Sequence, residues 1–261
     1  MTPFKIVIPA RMGSSRFHGK PLVPILGRAM ILRVTERALQ TRANEVVVAT
    51  DHADIAAVVT EAGYSAHMTL EHHPSGTDRI AQVAIERGWS DDTIVVNVQG
   101  DEPAIDPQLI TAVAQALNDD TSCVMATAAH PLHQLADFLN PNMVKVVLDE
   151  QQRALYFSRA PIPYPRDWMK SQNHTDAAQT LPADVPVLRH MGIYAYRVGF
   201  LKRYGQLPMS RLEQIESLEQ LRVLAHGEHI SVFISDVAAA PGVDTPEDVA
   251  LVEQYLRDAA R

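Results

Sequence analysis

Ile6-Val7-Ile8-Pro9-Ala10-Arg11-Met12-Gly13-Ser14-Ser15-Arg16-Phe17-His18-Gly19-Lys20-Pro21-Leu22 joins an apolar, β-branched run to a loop with two glycines, two serines and three cations. β-branched residues fit a pleated, buried surface, so Phe4 to Ala10 is expected as a strand. Gly13 and Gly19 permit backbone conformations closed to other residues and a close approach to a ligand. Arg11, Arg16 and Lys20 supply charge, while free amides and the hydroxyls of Ser14 and Ser15 can hydrogen-bond phosphate oxygens. Between Met1 and Thr35 there are six Lys or Arg residues and no Asp or Glu. With 31 acids in 261 residues, such a window arises by chance about one time in a hundred. The stretch reads as an anion-binding loop.

It is neither of two familiar phosphate loops. A Walker-type loop has four residues between its first glycine and the Gly-Lys pair, then Ser or Thr. Here five residues separate Gly13 from Gly19, and Pro21 follows Lys20. The three-glycine dinucleotide pattern is also missing.

Outward from the loop, apolar strands alternate with amphipathic helices. Met30, Ile31, Val34 and Ala38 recur at helical spacing, predicting a helix that ends near Leu39. Glu45 to Thr50 reads as a strand, Asp54 to Ala62 as a helix stopped by Gly63, and Ser65 to Met68 as a short strand. Thr77 to Arg87 is helical, Thr93 to Gln99 is a buried strand, and Pro107 opens a helix to about Leu117. Strands that are apolar throughout and alternate with helices define an α/β, Rossmann-like fold: a mostly parallel sheet with helices on both faces. In such sheets ligands gather at the carboxyl ends of strands. The basic loop, Thr50-Asp51 and Gly100-Asp101 all lie at such ends.

The later chain reads differently. Val144 to Leu148 and Ala154 to Ser158 form a hairpin, and Pro161 to Pro186 an irregular excursion. A strand at Met191 to Tyr196, helices at Phe200 to Tyr204 and Leu212 to Leu224, and a strand at Ile230 to Ile234 follow. Thr245 is expected to cap a last helix with Pro246 at its first position. The chain reads as a single domain over residues 1–261 with an excursion at about 140–205.

Composition bounds the partners. The net charge of −8 argues against nucleic-acid or membrane-surface binding, and no apolar run is long enough to insert in a bilayer. A lone cysteine, Cys123, fits a reducing compartment, and the amino end lacks signal-peptide regions. The expected location is the cytoplasm.

Asp101 follows a glycine at the end of a buried strand, and Asp244 sits in a comparable corner near the carboxyl end. Mg2+ is a hard cation usually held by one or two carboxylates, waters and substrate phosphates. Two aspartates on distant loops suit it, although each would equally shape its own turn. Ser75-Gly76-Thr77-Asp78-Arg79 reads as a helix cap or as an amide site for a base or phosphate. Arg159 reads locally as a surface charge. The pairs His72-His73, His130 with His133, and His226 with His229 lack the further ligands of a closed zinc site.

Pro9-Ala10-Arg11, Ser15-Arg16 and Gly19-Lys20-Pro21-Leu22 resemble the signature loop of enzymes that couple CTP to acidic sugars, nearest to the 3-deoxy-manno-octulosonate cytidylyltransferase family. Gln99-Gly100-Asp101-Glu102-Pro103 and Gly242-Val243-Asp244-Thr245-Pro246-Glu247-Asp248 match that family's metal-binding stretches. The resemblance covers essentially the whole chain. It implies a nucleotide-diphospho-sugar transferase type of fold and transfer of CMP from CTP to the sugar acid, for lipopolysaccharide biosynthesis. Ala10, Arg11, Ser15, Arg16, Lys20, Ser75, Gly76 and Arg79 are then expected around CTP. Gln99, Arg159, His190, Tyr194, Glu219 and Gln220 are expected around the sugar acid, and Asp101 and Asp244 on Mg2+. Lys20, Arg11, Asp101 and Asp244 carry the catalytic roles. A homodimer formed through the excursion is implied as well.

Two features depart from the family pattern. Phe17-His18 stands where the family usually has Leu-Pro, and without the proline's fixed angle the loop is expected to be freer before CTP binds. The segment from Trp168 to Val185 is also unlike the pattern. A sibling acting on an amino-substituted octulosonate or a sialic-type acid remains open, as does a non-catalytic nucleotide sensor. A nicotinamide oxidoreductase would need the absent glycine fingerprint.

Overall fold

A computed structural model describes residues 3–13, 17–73, 75–171, 180–182 and 184–259. The strands in chain order are β1 (Phe4–Ala10), β2 (Pro24–Ile25), β3 (Arg28–Ala29), β4 (Glu45–Thr50), β5 (Ala66–Met68), β6 (Ile94–Asn97) and β7 (Met125–Pro131). They continue as β8 (Lys145–Leu148), β9 (Ala154–Ser158), β10 (Leu188–Arg197) and β11 (Ile230–Ile234). The helices are α1 (Met30–Leu39), α2 (Ala53–Glu61), α3 (Gly76–Glu86), α4 (Pro107–Asp119) and α5 (Leu135–Leu139). After them come α6 (Arg166–Ser171), α7 (Val198–Tyr204), α8 (Arg211–Glu216), α9 (Gln220–Ala225) and α10 (Asp248–Ala259).

The chain divides into two compact units. The first comprises Met1–Asp119, Ile193–Gln206 and Ala239–Arg261; the second comprises Asp120–Gly192 and Leu207–Ala238. The expected excursion over 140–205 is therefore shared, its last part lying in the first unit.

In the first unit β1 is parallel to β4 and to β6, and β4 is parallel to β5. The second half of β10 runs antiparallel beside β6, with Tyr194 opposite Asn97. Ile6, Val7, Ile8, Val47, Val48, Val95 and Val96 are fully buried, which is why these strands are apolar without alternation. Helices α1 and α3 pack on β1, and α4 packs on β6. Ala10 is opposite Thr50 and Val7 is opposite Asn97. The loops after β1, β4 and β6 thus leave the same edge.

A small core closes this edge from the far end of the sequence. Ile25 and Met30 pack with Val243 and Val252, and Phe17, Val249 and Leu256 join them. Each fully buried side chain of this size contributes about 1.5–3 kcal/mol. That packing ties the corner at Val243-Asp244 to the segment just after the basic loop. Phe17, standing where the family usually has leucine, is an apolar anchor of this core.

The second unit holds the parallel pair β7 and β11 and the antiparallel hairpin β8–β9, with the first half of β10 antiparallel to β8. Its core includes Leu132, Leu135, Phe138, Leu181 and Val187, against which Trp168 packs. That contact accounts for α6 in a segment expected to be irregular. The helix expected over Leu212 to Leu224 is broken instead. Ser217 adopts a left-handed conformation, φ 54°, and donates its amide to the Glu213 carbonyl, ending α8. The last helix starts at Asp248 rather than Pro246. The Asp248 carboxylate accepts hydrogen bonds from the amides of Asp244 and Thr245, holding these residues in a turn ahead of the helix.

Candidate active site

The turn after β1 is built around Gly19. Its φ of 69° lies in the left-handed region that glycine enters without penalty. Its amide donates to the Met12 carbonyl at 3.2 Å, drawing the loop together. Pro21 then fits the short 3₁₀ turn over Lys20–Leu22. This turn directs Lys20 back to the strand ends. The Lys20 ammonium donates to Asp101 Oδ2 at 2.7 Å and to the Val243 carbonyl at 2.9 Å. It lies 3.7 Å from Asp244 Oδ1. Asp101 and Val243, 81 and 223 positions along the chain from Lys20, thus meet it at one point.

Asp101 reaches this point because Gly100 lets the loop after β6 pass against β1. A Cβ on Gly100 would stand 2.8 Å from the Pro9 carbonyl oxygen, closer than real Cβ atoms approach. The amide of Val243 donates to the Asp101 carbonyl at 2.9 Å, joining the two acid-bearing loops directly. Asp244 stays exposed. Gln99 accepts the amide of Glu102 through its carbonyl. Burial first, and then the neighbouring Asp101 charge, push the Glu102 carboxyl up to about 7.

The donor set suits Mg2+. Two carboxylates and a carbonyl, all hard oxygens, already surround one cationic atom. Among the described residues no group of three or more His, Cys, Asp and Glu stands ready to hold a metal. A two-carboxylate site of this kind leaves coordination positions to water and substrate phosphates.

Arg11 is exposed beside this cluster in sequence, and Ala10 is the buried last residue of β1. Ser15 and Arg16 lie outside the described residues. Ser75 caps α3, accepting the Asp78 amide and donating to Asp78 Oδ2 at 2.7 Å. Gly76 follows as the first residue of α3. Arg79 is nearly buried; its guanidinium donates to Asp51 Oδ2 at 2.7 Å and to the Thr69 hydroxyl. Asp51, noted in the sequence only as a strand end, is the partner that makes this burial tolerable.

The second unit carries the other candidates. Arg159 follows β9 and donates through Nε to the Glu216 carbonyl at 2.7 Å. His190 on β10 stacks edge-on against Phe157, centroids 5.0 Å apart, with Nε2 3.0 Å from the Thr127 hydroxyl. Burial, aided by the Arg189 charge, pushes His190 down to about 3, so its ring is neutral. Glu219 immediately precedes α9, and Gln220 is buried, its Nε2 without a hydrogen-bond partner among the described residues. Tyr194 lies further along β10, in the first unit, its ring 6.1 Å from that of Tyr196. Sequence reasoning missed Glu216 and Lys145, both of which contact Arg159. No local pattern marks either.

The parallel α/β sheet brings a lysine between two acids at its strand ends, where such sheets hold their ligands. The family described as Cytidylyltransferase matches residues 5–230. A curated 3-deoxy-manno-octulosonate cytidylyltransferase from Herminiimonas arsenicoxydans is 53% identical over 253 residues, spanning 97% of this chain and 98% of that one. A solved CMP:2-keto-3-deoxy-manno-octonic acid synthetase, complexed with CTP, superposes with a TM-score of 0.88 at 43% identity, covering 99% and 100% of the two chains. A cytidylyltransferase from Leptospira borgpetersenii serovar Hardjo-bovis shares the fold, with a TM-score of 0.62 at 15% identity over 99% of this chain and 88% of that one. The chain belongs to the 3-deoxy-manno-octulosonate cytidylyltransferase family of nucleotidyltransferases. Among its described residues no helix is long and apolar enough to cross a membrane.

Proposed function

We propose that the chain transfers CMP from CTP to 3-deoxy-D-manno-octulosonate in the cytoplasm, releasing pyrophosphate and supplying lipopolysaccharide biosynthesis. The observation that carries this reading is the meeting of Lys20, Asp101 and Asp244 at the carboxyl edge of the parallel strands. The anomeric hydroxyl attacks the α-phosphorus in line. A new phosphorus–oxygen bond forms, the bond to the β-phosphate breaks, and the hydroxyl proton passes to water.

Lys20 and Arg11 bind the triphosphate, with Ser15 and Arg16 assigned beside them from the loop motif. The Lys20 ammonium is paired to two acids. A triphosphate gives its three donors a second set of anionic oxygens. Ala10, Ser75 and Gly76 present backbone to the nucleotide, and Arg79, locked on Asp51, shapes that pocket's wall. Asp101 and Asp244 would hold Mg2+, which when bound neutralises charge at the reacting phosphate and acidifies the attacking hydroxyl.

For the sugar acid, Arg159 pairs with the carboxylate, since a guanidinium matches its two oxygens. His190, being neutral, orients a hydroxyl and adds no charge. Gln99, Tyr194, Glu219 and Gln220 supply the remaining hydrogen bonds to a polyhydroxylated ligand. The buried Nε2 of Gln220, unpartnered among the described residues, supports this assignment.

The chain works as one catalytic domain whose excursion serves sugar binding and homodimerisation. Leu155, Tyr164, Met209, Leu212 and Ile215 of the second unit are exposed apolar side chains, the residue type that obligate interfaces cover.

Pyrophosphate release with purified protein, CTP and Mg2+ across a panel of sugar acids tests the reading. Release with 3-deoxy-manno-octulosonate is expected. Preference for an amino-substituted or sialic-type acid would move the assignment to a sibling activity. Nucleotide binding with no release from any acid would make the chain a sensor.

A further inference from the structure

Lys145 is a large charged side chain with no solvent exposure. Burying an ammonium is costly unless its donors are satisfied. Here they meet the carbonyls of Asn140 and Arg159, each at 2.9 Å. Burial pushes this amine below its ordinary range, while the Glu216 charge favours the protonated form. Glu216 acts on the same residue from the other side. Its carboxylate accepts from the Arg159 amide at 3.0 Å and from the Ser158 hydroxyl at 2.6 Å. Its own carbonyl takes the Arg159 Nε at 2.7 Å. The Pro141 carbonyl, next to the Asn140 carbonyl that Lys145 holds, takes Arg159 Nη1 at 3.1 Å.

The amide, the carbonyl, Nε and Nη1 of Arg159 are therefore all engaged, and among the described residues Nη2 alone has no partner. A surface arginine ordinarily keeps most of its rotamer freedom, and freezing it on binding costs conformational entropy. The left-handed Ser217, a non-glycine residue, turns the chain just after Glu216. Non-glycine residues hold such a conformation only when their surroundings fix it. The cluster is built to present one guanidinium edge.

We infer that Lys145 and Glu216 are positioning residues that pre-set Arg159 for the carboxylate of the sugar acid. The inference rests on the reading of Arg159 given above. Neither residue touches the ligand. Lys145 fixes the backbone on which Arg159 stands, and Glu216 fixes the side-chain direction. Pre-ordering removes a cost that would otherwise be met at each binding event.

Steady-state kinetics on Lys145→Met, Glu216→Gln and Arg159→Ala, each checked for folding by circular dichroism, test it. Lys145→Met and Glu216→Gln are expected to raise KM for the sugar acid about tenfold while KM for CTP stays within about twofold. In an Arg159→Ala background the Lys145→Met change is expected to add less than about twofold, since a residue acting through Arg159 has nothing left to act on. Glu216→Gln keeps size and an acceptor and carries the test where Lys145→Met does not fold. A wild-type sugar-acid KM in the folded single variants overturns the inference, as does an undiminished effect in the Arg159→Ala background. If Arg159→Ala itself leaves the sugar-acid KM unchanged, the reading of Arg159 fails instead.

Discussion

The cluster on Lys20 in the first unit and the cluster on Arg159 in the second hold their charges in opposite ways. In the first, the Lys20 ammonium rests directly on carboxylates, at 2.7 Å from Asp101 and 3.7 Å from Asp244. In the second, Lys145 and Arg159 are held chiefly by backbone carbonyls, and Glu216 by an amide and a hydroxyl. Side-chain ion pairs can be exchanged when a more highly charged ligand arrives. Backbone-held groups stay where the fold puts them. The first arrangement suits a triphosphate and a divalent cation, whose charges rearrange during reaction. The second suits recognition of a fixed sugar-acid shape.

Breaking the first arrangement is expected to have the largest effect. Replacing both acids, Asp101→Asn with Asp244→Asn, should lower kcat/KM by about 10^3-fold or more while far-ultraviolet circular dichroism stays that of the folded chain. Arg79→Ala separates binding from structure within the same unit. It strands Asp51, whose partner is nearly buried, and should cost about 3 kcal/mol in urea unfolding at pH 7. A loss of CTP affinity without loss of stability would give Arg79 a ligand contact instead of a structural one.

Lys20→Ala should lower kcat/KM by about 10^2-fold, read from initial rates at varied CTP. If its only partners were the acids, removing it would leave the KM for CTP untouched.

The smallest effect sharpens the contrast with the second unit. His190 is depressed to about 3 from an ordinary 6.5. An unfolded chain protonates this ring below 6.5, whereas the folded chain does not. Its contribution to stability is therefore complete above about pH 6.5 and declines as pH falls towards 3. Thermal melts of His190→Gln should lose less between pH 7 and 5 than those of the unaltered chain. Equal losses would mean that the ring is protonated in the fold.

The contrast also explains what could be read from the chain. The strand run Ile6 to Ala10, the basic loop and the Gly-Asp corner at Gly100-Asp101 are local patterns, so the parallel sheet and its edge were legible. Asp244 was placed by its motif and its turn, although its meeting with Lys20 depends on the packing of Val243 and Val252 on Met30. The cluster on Arg159 was not legible. Glu216 lies 57 residues away and reaches Arg159 only because Ser217 breaks a helix that apolar spacing made continuous. Lys145 reads as an ordinary strand lysine until its burial is known. The use of Arg79 was half visible, since a cap-proximal arginine announces its charge but not its partner at Asp51.

The most direct measurement is the rate of pyrophosphate release by folded Asp101→Asn with saturating CTP, 3-deoxy-manno-octulosonate and Mg2+. If Asp101, Asp244 and Lys20 form the transfer site, release should fall at least about 10^2-fold below that of the unaltered chain. A rate close to that of the unaltered chain would contradict it.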